Sequence, residues 1–126
     1  MNIYNLKILI VEDEEMVRVT LEDFLEDEGF EVRSADSGER GIELLDECQF
    51  EVAVVDMRLP GMDGNTFIKT AKKIQPRLDF IIHTGTAFYS LPQELRDMGI
   101  TNSNILPKPL SDMELLIRAI EKLKSE

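Results

Sequence analysis

Apolar and polar positions follow two rhythms along the chain, and the switches between them mark out short elements. Leu6-Lys7-Ile8-Leu9-Ile10-Val11 is a brief apolar run rich in β-branched residues, which favours a strand. A helix follows, since Val17, Leu21, Phe24 and Leu25 recur at i, i+4, i+7 and i+8, with Gly29 as its stop. Phe30-Glu31-Val32-Arg33 then changes to period two, a second strand with one face exposed. Asp36 with Glu39 three residues on signals a second helix, which Ile42, Leu44 and Leu45 carry to near Cys48.

Val52-Ala53-Val54-Val55 is apolar on both faces, as expected inside a parallel sheet covered by helices on each side. It stops at Asp56. Leu59-Pro60-Gly61-Met62-Asp63-Gly64 is dense in turn formers, and a third helix (Phe67, Ile68, Ala71, Ile74) runs from it to Pro76. Phe80-Ile81-Ile82 makes a fourth strand. Ser90 and Gln93 have capping-box spacing for a fourth helix through Leu95 and Met98, closed by Gly99. Asn104-Ile105-Leu106 is a short fifth strand, and Ser111 with Glu114 opens a last helix striped by Met113, Leu116, Ile117, Ile120 and Leu123. Five strands alternating with five helices demand an α/β architecture: a parallel sheet, right-handed crossovers, helices on both faces and ligands at the carboxyl ends of the strands.

The 126 residues suit one compact domain spanning 1–126, and two full domains are excluded. Hydrophobic residues at 43% and charged residues at 31% exclude a disordered chain. No apolar run approaches the roughly 20 residues of a membrane span, and the first residues lack a signal peptide's pattern, so a cytoplasmic location is expected. Fourteen basic against 25 acidic side chains give a net charge of −11, which opposes direct binding of nucleic acid. The one cysteine, Cys48, forms no internal disulfide and no cysteine metal cage; it reads as a partly buried small side chain.

Polar groups stand at four strand ends: Glu12-Asp13-Glu14 after the first, Asp56 after the third, Thr84 after the fourth and Lys108 after the fifth. If the first and third strands are neighbours, Glu12, Asp13 and Asp56 share a crevice. Like charges about 4 Å apart repel by roughly 4 kcal/mol at an effective dielectric near 20, so such a cluster calls for a cation or a shifted pKa. A hard divalent cation, magnesium above all, suits carboxylate oxygens and a substrate phosphate. Lys108 offers a point charge and Thr84 a hydroxyl to a phosphoryl group, and an aspartate can accept one as an acyl phosphate once metal and lysine screen the attacking and transferring charges.

These residues resemble the receiver domain of two-component signalling systems, the family of the chemotaxis receiver and of bacterial response regulators. The match covers essentially the whole chain, and Asp56, Pro60 and Gly64 stand in the D-x-x-x-P-x-x-x-G pattern. The resemblance implies a flavodoxin-like, doubly wound five-stranded sheet in the order 2-1-3-4-5. It makes Asp56 the phospho-acceptor, carried as 4-aspartylphosphate, Thr84 the switch hydroxyl and Lys108 the phosphate-binding lysine. Glu12, Asp13, Asp56 and the Arg58 backbone carbonyl then hold Mg2+, and a cis Lys108-Pro109 bond aims the ammonium inward. The implied partners are a histidine kinase or phosphotransfer domain and a downstream effector, with no nucleic acid or membrane. Such a chain is no enzyme, but a phosphoryl acceptor that assists its own phosphorylation and dephosphorylation.

Two rivals fit less well. An aspartate-nucleophile phosphohydrolase needs a second aspartate two residues after the first, where this chain has Arg58. A flavodoxin-like electron carrier needs a phosphate-cradling loop after the first strand, where Glu12-Asp13-Glu14 would repel the phosphate. His83, with no second histidine or cysteine near it in sequence, reads as packing. One departure concerns output: Ile105 stands where receivers commonly carry an aromatic switch, so the signal is expected in the loop after Thr84, through Phe88 or Tyr89.

Overall fold

The computed structural model describes residues 5–85 and 89–124. Five strands, β1 (Lys7–Val11), β2 (Glu31–Ala35), β3 (Val52–Asp56), β4 (Asp79–Thr84) and β5 (Ile105–Pro107), form one parallel sheet in the order β2-β1-β3-β4-β5. They alternate with α1 (Glu15–Asp27), α2 (Gly38–Glu47), α3 (Gly64–Ile74), α4 (Gln93–Asp97) and α5 (Glu114–Lys124). The predicted class, element order and sheet order all hold.

The apolar runs are continuous because each central strand feeds two cores. Ile8 and Ile10 of β1, with Val52 and Val54 of β3, pack against Leu21 and Leu25 of α1 and Leu116, Ile117 and Ile120 of α5. Their alternates, Leu9, Val11, Ala53 and Val55, face the other way onto Leu44 of α2, Phe67 and Ile68 of α3 and Leu95 of α4. Every residue of β3 is buried. Side chains of a strand point alternately to opposite faces, so a strand covered on both sides loses its polar positions. The outermost β2, by contrast, keeps exposed Glu31 and Arg33 between buried Val32 and Ala35.

Three helix starts differ from the sequence signals. β2 pairs with β1 as far as Ala35, which keeps the chain extended beyond Asp36, and the α2 cap is Ser37, whose side chain accepts the Arg40 N–H. Glu39 is thereby freed and accepts the Met62 N–H instead. The fourth helix begins only at Gln93, with Pro92 at its cap and no side-chain cap, rather than at Ser90. A residue before proline is driven out of the helical region, so Leu91 cannot belong to that helix. At α5, the Glu114 N–H donates to Asp112 Oδ1, an ionised acceptor stronger than the hydroxyl of Ser111. The fifth strand also begins one residue late, because Asn104 sits in a short 3-10 turn and donates to the Phe80 carbonyl.

Candidate functional site

Each site residue is delivered by a strand that ends at one edge of the sheet. β1 and β3 lie side by side, with Val11 opposite Val55, so Glu12 and Asp56 leave the sheet at the same height. Oxygens of Glu12, Asp13 and Asp56 lie within 4.8 Å of one another, the juxtaposition expected from the sequence. Thr84 is buried at the end of β4, and its carbonyl accepts the Lys108 N–H at 2.9 Å. That contact pins the segment after β5 to the end of β4. The Lys108-Pro109 bond is cis, as the resemblance implied.

The loop after Asp56 is shaped by close approach. The Arg58 N–H donates to Asp56 Oδ1 at 3.0 Å, which fixes the carboxylate's orientation. A Cβ on Gly64 would lie 2.6 Å from the Met57 Cα and 2.9 Å from the Asp56 carbonyl oxygen, so only glycine lets α3 start against the Asp56 peptide. Asp63, just before it, caps α3 by accepting the Thr66 N–H, and that bond holds its carboxyl below the usual range. Asp13, Glu14, Asp56, Arg58, Gly85 and Lys108 line an open crevice of about 450 Å3.

The electrostatics of the crevice centre on Lys108. Its Nζ lies 2.7 Å from Glu14 Oε1, 3.0 Å from Glu12 Oε2 and 3.3 Å from Asp56 Oδ2. Burial alone would lower its pKa, but hydrogen bonds to Glu14 and Glu12 and the charge of Asp56 outweigh that and raise it, so it stays an ammonium. Burial pushes the Glu12 carboxyl up to about 7, against the opposing pull of the Glu14 N–H and Lys108. The second Glu12 oxygen, Oε1, is buried with no hydrogen-bond partner. An orphaned carboxylate oxygen facing two further carboxylates fits a hard divalent cation, since such a cation takes oxygen ligands only.

Sequence reasoning singled out Glu12, Asp13, Asp56, Thr84 and Lys108, and the structure brings all five to this edge. Arg58 also stands at the crevice, through the amide that holds Asp56. Glu14 was part of the acidic run but was given no role, and its ion pair with Lys108 is new. The available signal was its place just before the first helix, where the side chain makes no cap bond and is free to reach across. His83 is buried, and burial pushes its imidazole down to about 4, with the Lys108 charge adding to the effect. Of the expected output residues, Phe88 lies outside the described residues. Tyr89 and Ile105 both pack against the core between the sheet and α2, α3 and α4.

Comparison with known proteins gives a consistent picture. Residues 8–121 match the model of the response regulator receiver domain. The chain is 27% identical over 121 residues to sporulation initiation phosphotransferase F of Bacillus subtilis (strain 168), covering 96% of this chain and 98% of that protein. It is 26% identical over 113 residues to the cell cycle response regulator CtrA of Brucella ovis, where it spans only 48% of the relative's length. Among solved structures it resembles a CheY-like response regulator receiver domain protein from Methanospirillum hungatei JF-1. The TM-score is 0.81 at 29% identity, with 96% of this chain and 95% of that one covered.

Proposed function

Because the chain belongs to the response regulator receiver family of two-component signalling, we propose that its phospho-acceptor is Asp56. The observation that carries this reading is Lys108 Nζ at 3.3 Å from Asp56 Oδ2, in a crevice that Glu12 and Asp13 share. The donor is the phosphohistidine of a histidine kinase or phosphotransfer protein, the partners receivers take. An Asp56 oxygen forms the new bond to phosphorus while the donor's P–N bond breaks, and the imidazole leaves with the electron pair and gains a proton. With acetyl phosphate, a P–O bond breaks and acetate leaves. Lys108 balances negative charge on the transferred group, and the Thr84 hydroxyl binds another of its oxygens.

Glu12, Asp13, Asp56 and the Arg58 carbonyl are the residues that would hold Mg2+. The ion's contribution is to neutralise charge between phosphoryl oxygens and the attacking carboxylate. In this reading the receiver unit spans residues 1–126, works in the cytoplasm, and assists its own phosphorylation and dephosphorylation without acting as a multiple-turnover phosphatase. Among the described residues no helix is long and apolar enough to cross a membrane.

Phosphorylation is read by an effector through the loop after Thr84, with Tyr89 reorienting while Ile105, stiff at its β-carbon, keeps one rotamer. Incubation with acetyl phosphate and Mg2+ should add one phosphoryl group to the wild-type chain, by intact mass, and none to Asp56→Asn. Equal labelling of both forms would refute the assignment. Methyl and amide shifts on adding beryllofluoride, a phosphoryl mimic, test the output: Tyr89 should move and Ile105 should not change rotamer.

A further inference from the structure

From the contacts of Lys108 we infer that Glu14 is a positioning residue that competes with the incoming phosphoryl group for this lysine. The inference rests on the phospho-acceptor reading of Asp56. An ammonium has three N–H donors, and three carboxylates surround this one: Glu12 at 3.0 Å, Glu14 at 2.7 Å and Asp56 at 3.3 Å. Two of the donors are hydrogen-bonded to Glu12 and Asp56, and Glu14 is held as the closest ion pair. A phosphoryl oxygen that approaches Lys108 therefore competes with three carboxylates for its charge.

Burial decides which one gives way. The Glu12 and Asp56 side chains are 1% and 4% exposed, whereas that of Glu14 is 62% exposed. A buried carboxylate that loses its cation keeps the full cost of desolvation, but an exposed one exchanges it for water. Glu14 is therefore the group that leaves. Its backbone reinforces the point, because the Glu14 N–H donates to Glu12 Oε2 at 3.0 Å. The peptide stays in place while the side chain swings out from the start of α1.

Until then Glu14 makes the shortest of the three contacts to Lys108. It thus weakens phosphoryl binding without touching the reacting atoms. Removing its charge should strengthen that binding by roughly two- to fivefold, the range of a partly screened ion pair. A general loss of negative charge near an anion site would act in the same direction, so a control is needed. Glu15, the next residue, is exposed and lies in the first turn of α1, and no ion pair joins it to Lys108 among the described residues.

The test is the apparent affinity for beryllofluoride at saturating Mg2+, followed by amide shifts of the full chain. Glu14→Gln should bind roughly two- to fivefold more tightly than wild type, and Glu15→Gln should match wild type. In a Lys108→Met background the gain from Glu14→Gln should vanish, because nothing remains to compete for. Equal gains from both glutamine variants, or a gain that survives loss of Lys108, would overturn the inference while leaving the phospho-acceptor reading intact. If wild type and variants alike bind no beryllofluoride, the phospho-acceptor reading fails and takes the inference with it.

Discussion

The two edges of the sheet treat charge in opposite ways. At the amino edge, cations and anions meet one to one: Lys7 with Glu31 at 3.3 Å, and Lys124 with Asp79 at 2.8 Å. Buried polar groups there are also satisfied. Gln75 accepts the Phe50 N–H and donates to the carbonyls of Leu45 and Cys48, while Asn104 donates to the Phe80 carbonyl. At the carboxyl edge three carboxylates crowd one ammonium, and a buried oxygen of Glu12 has no partner. The first edge is built for stability, because these polar groups are matched within the chain. The second leaves a buried oxygen unmatched within the chain and crowds like charges around one lysine, an arrangement that the proposed cation would relieve.

Substitutions should separate the two edges. The largest effect belongs to Gln75→Ala, which strips two buried backbone groups and one part-buried one of their partner; stability by urea unfolding should fall by about 2–4 kcal/mol, with Mg2+ affinity unchanged. Asp13→Asn should do the reverse, weakening Mg2+ binding on the order of tenfold or more with little change in unfolding midpoint, and Glu12→Gln should weaken it less. Titration of the metal against each variant compares them.

A pH series sharpens the contrast further. The Glu12 carboxyl is raised from 4.5 to about 7, so its proton favours the folded, metal-free chain. That stabilisation is complete below 4.5 and is lost as pH rises to about 7. Metal binding favours the charged form, so Mg2+ affinity should rise as pH climbs to about 7 and level off above it, by a total no larger than the loss in Glu12→Gln, and calorimetry in two buffers should detect the released proton. The smallest effect is expected for Lys124→Met, about 0.5–1 kcal/mol of stability, with no change in beryllofluoride or Mg2+ affinity.

Much of this edge was legible because strand ends are legible. An apolar run that stops at Asp56 puts a carboxylate at the sheet's carboxyl edge wherever the strand lies, and Glu12, Thr84 and Lys108 follow by the same logic. Helix starts were less legible. Asp36, Ser90 and Ser111 all had the right spacing, yet the caps went to Ser37 and Pro92, and at α5 the carboxylate contact came from Asp112. Several residues near each start can cap a helix, and the choice fell to how far β2 pairs, to a proline, and to the stronger acceptor.

The amino-acid order alone determined the alternation of strands and helices, and with it the parallel sheet and the group of chemically active residues, since periodicity and the breaks that interrupt it are local properties of the chain. Tertiary structure decided which charges meet. Lys108 lies 96 residues from Glu12 and 52 from Asp56, and no local pattern tells how a lysine divides its three hydrogens among carboxylates from different strands. The pairing of β1 with β3 set the distance between Glu12 and Asp56, and burial raised the Glu12 pKa. Electrostatic energy depends on distance and on exclusion of water, and both exist only once segments far apart in sequence have packed.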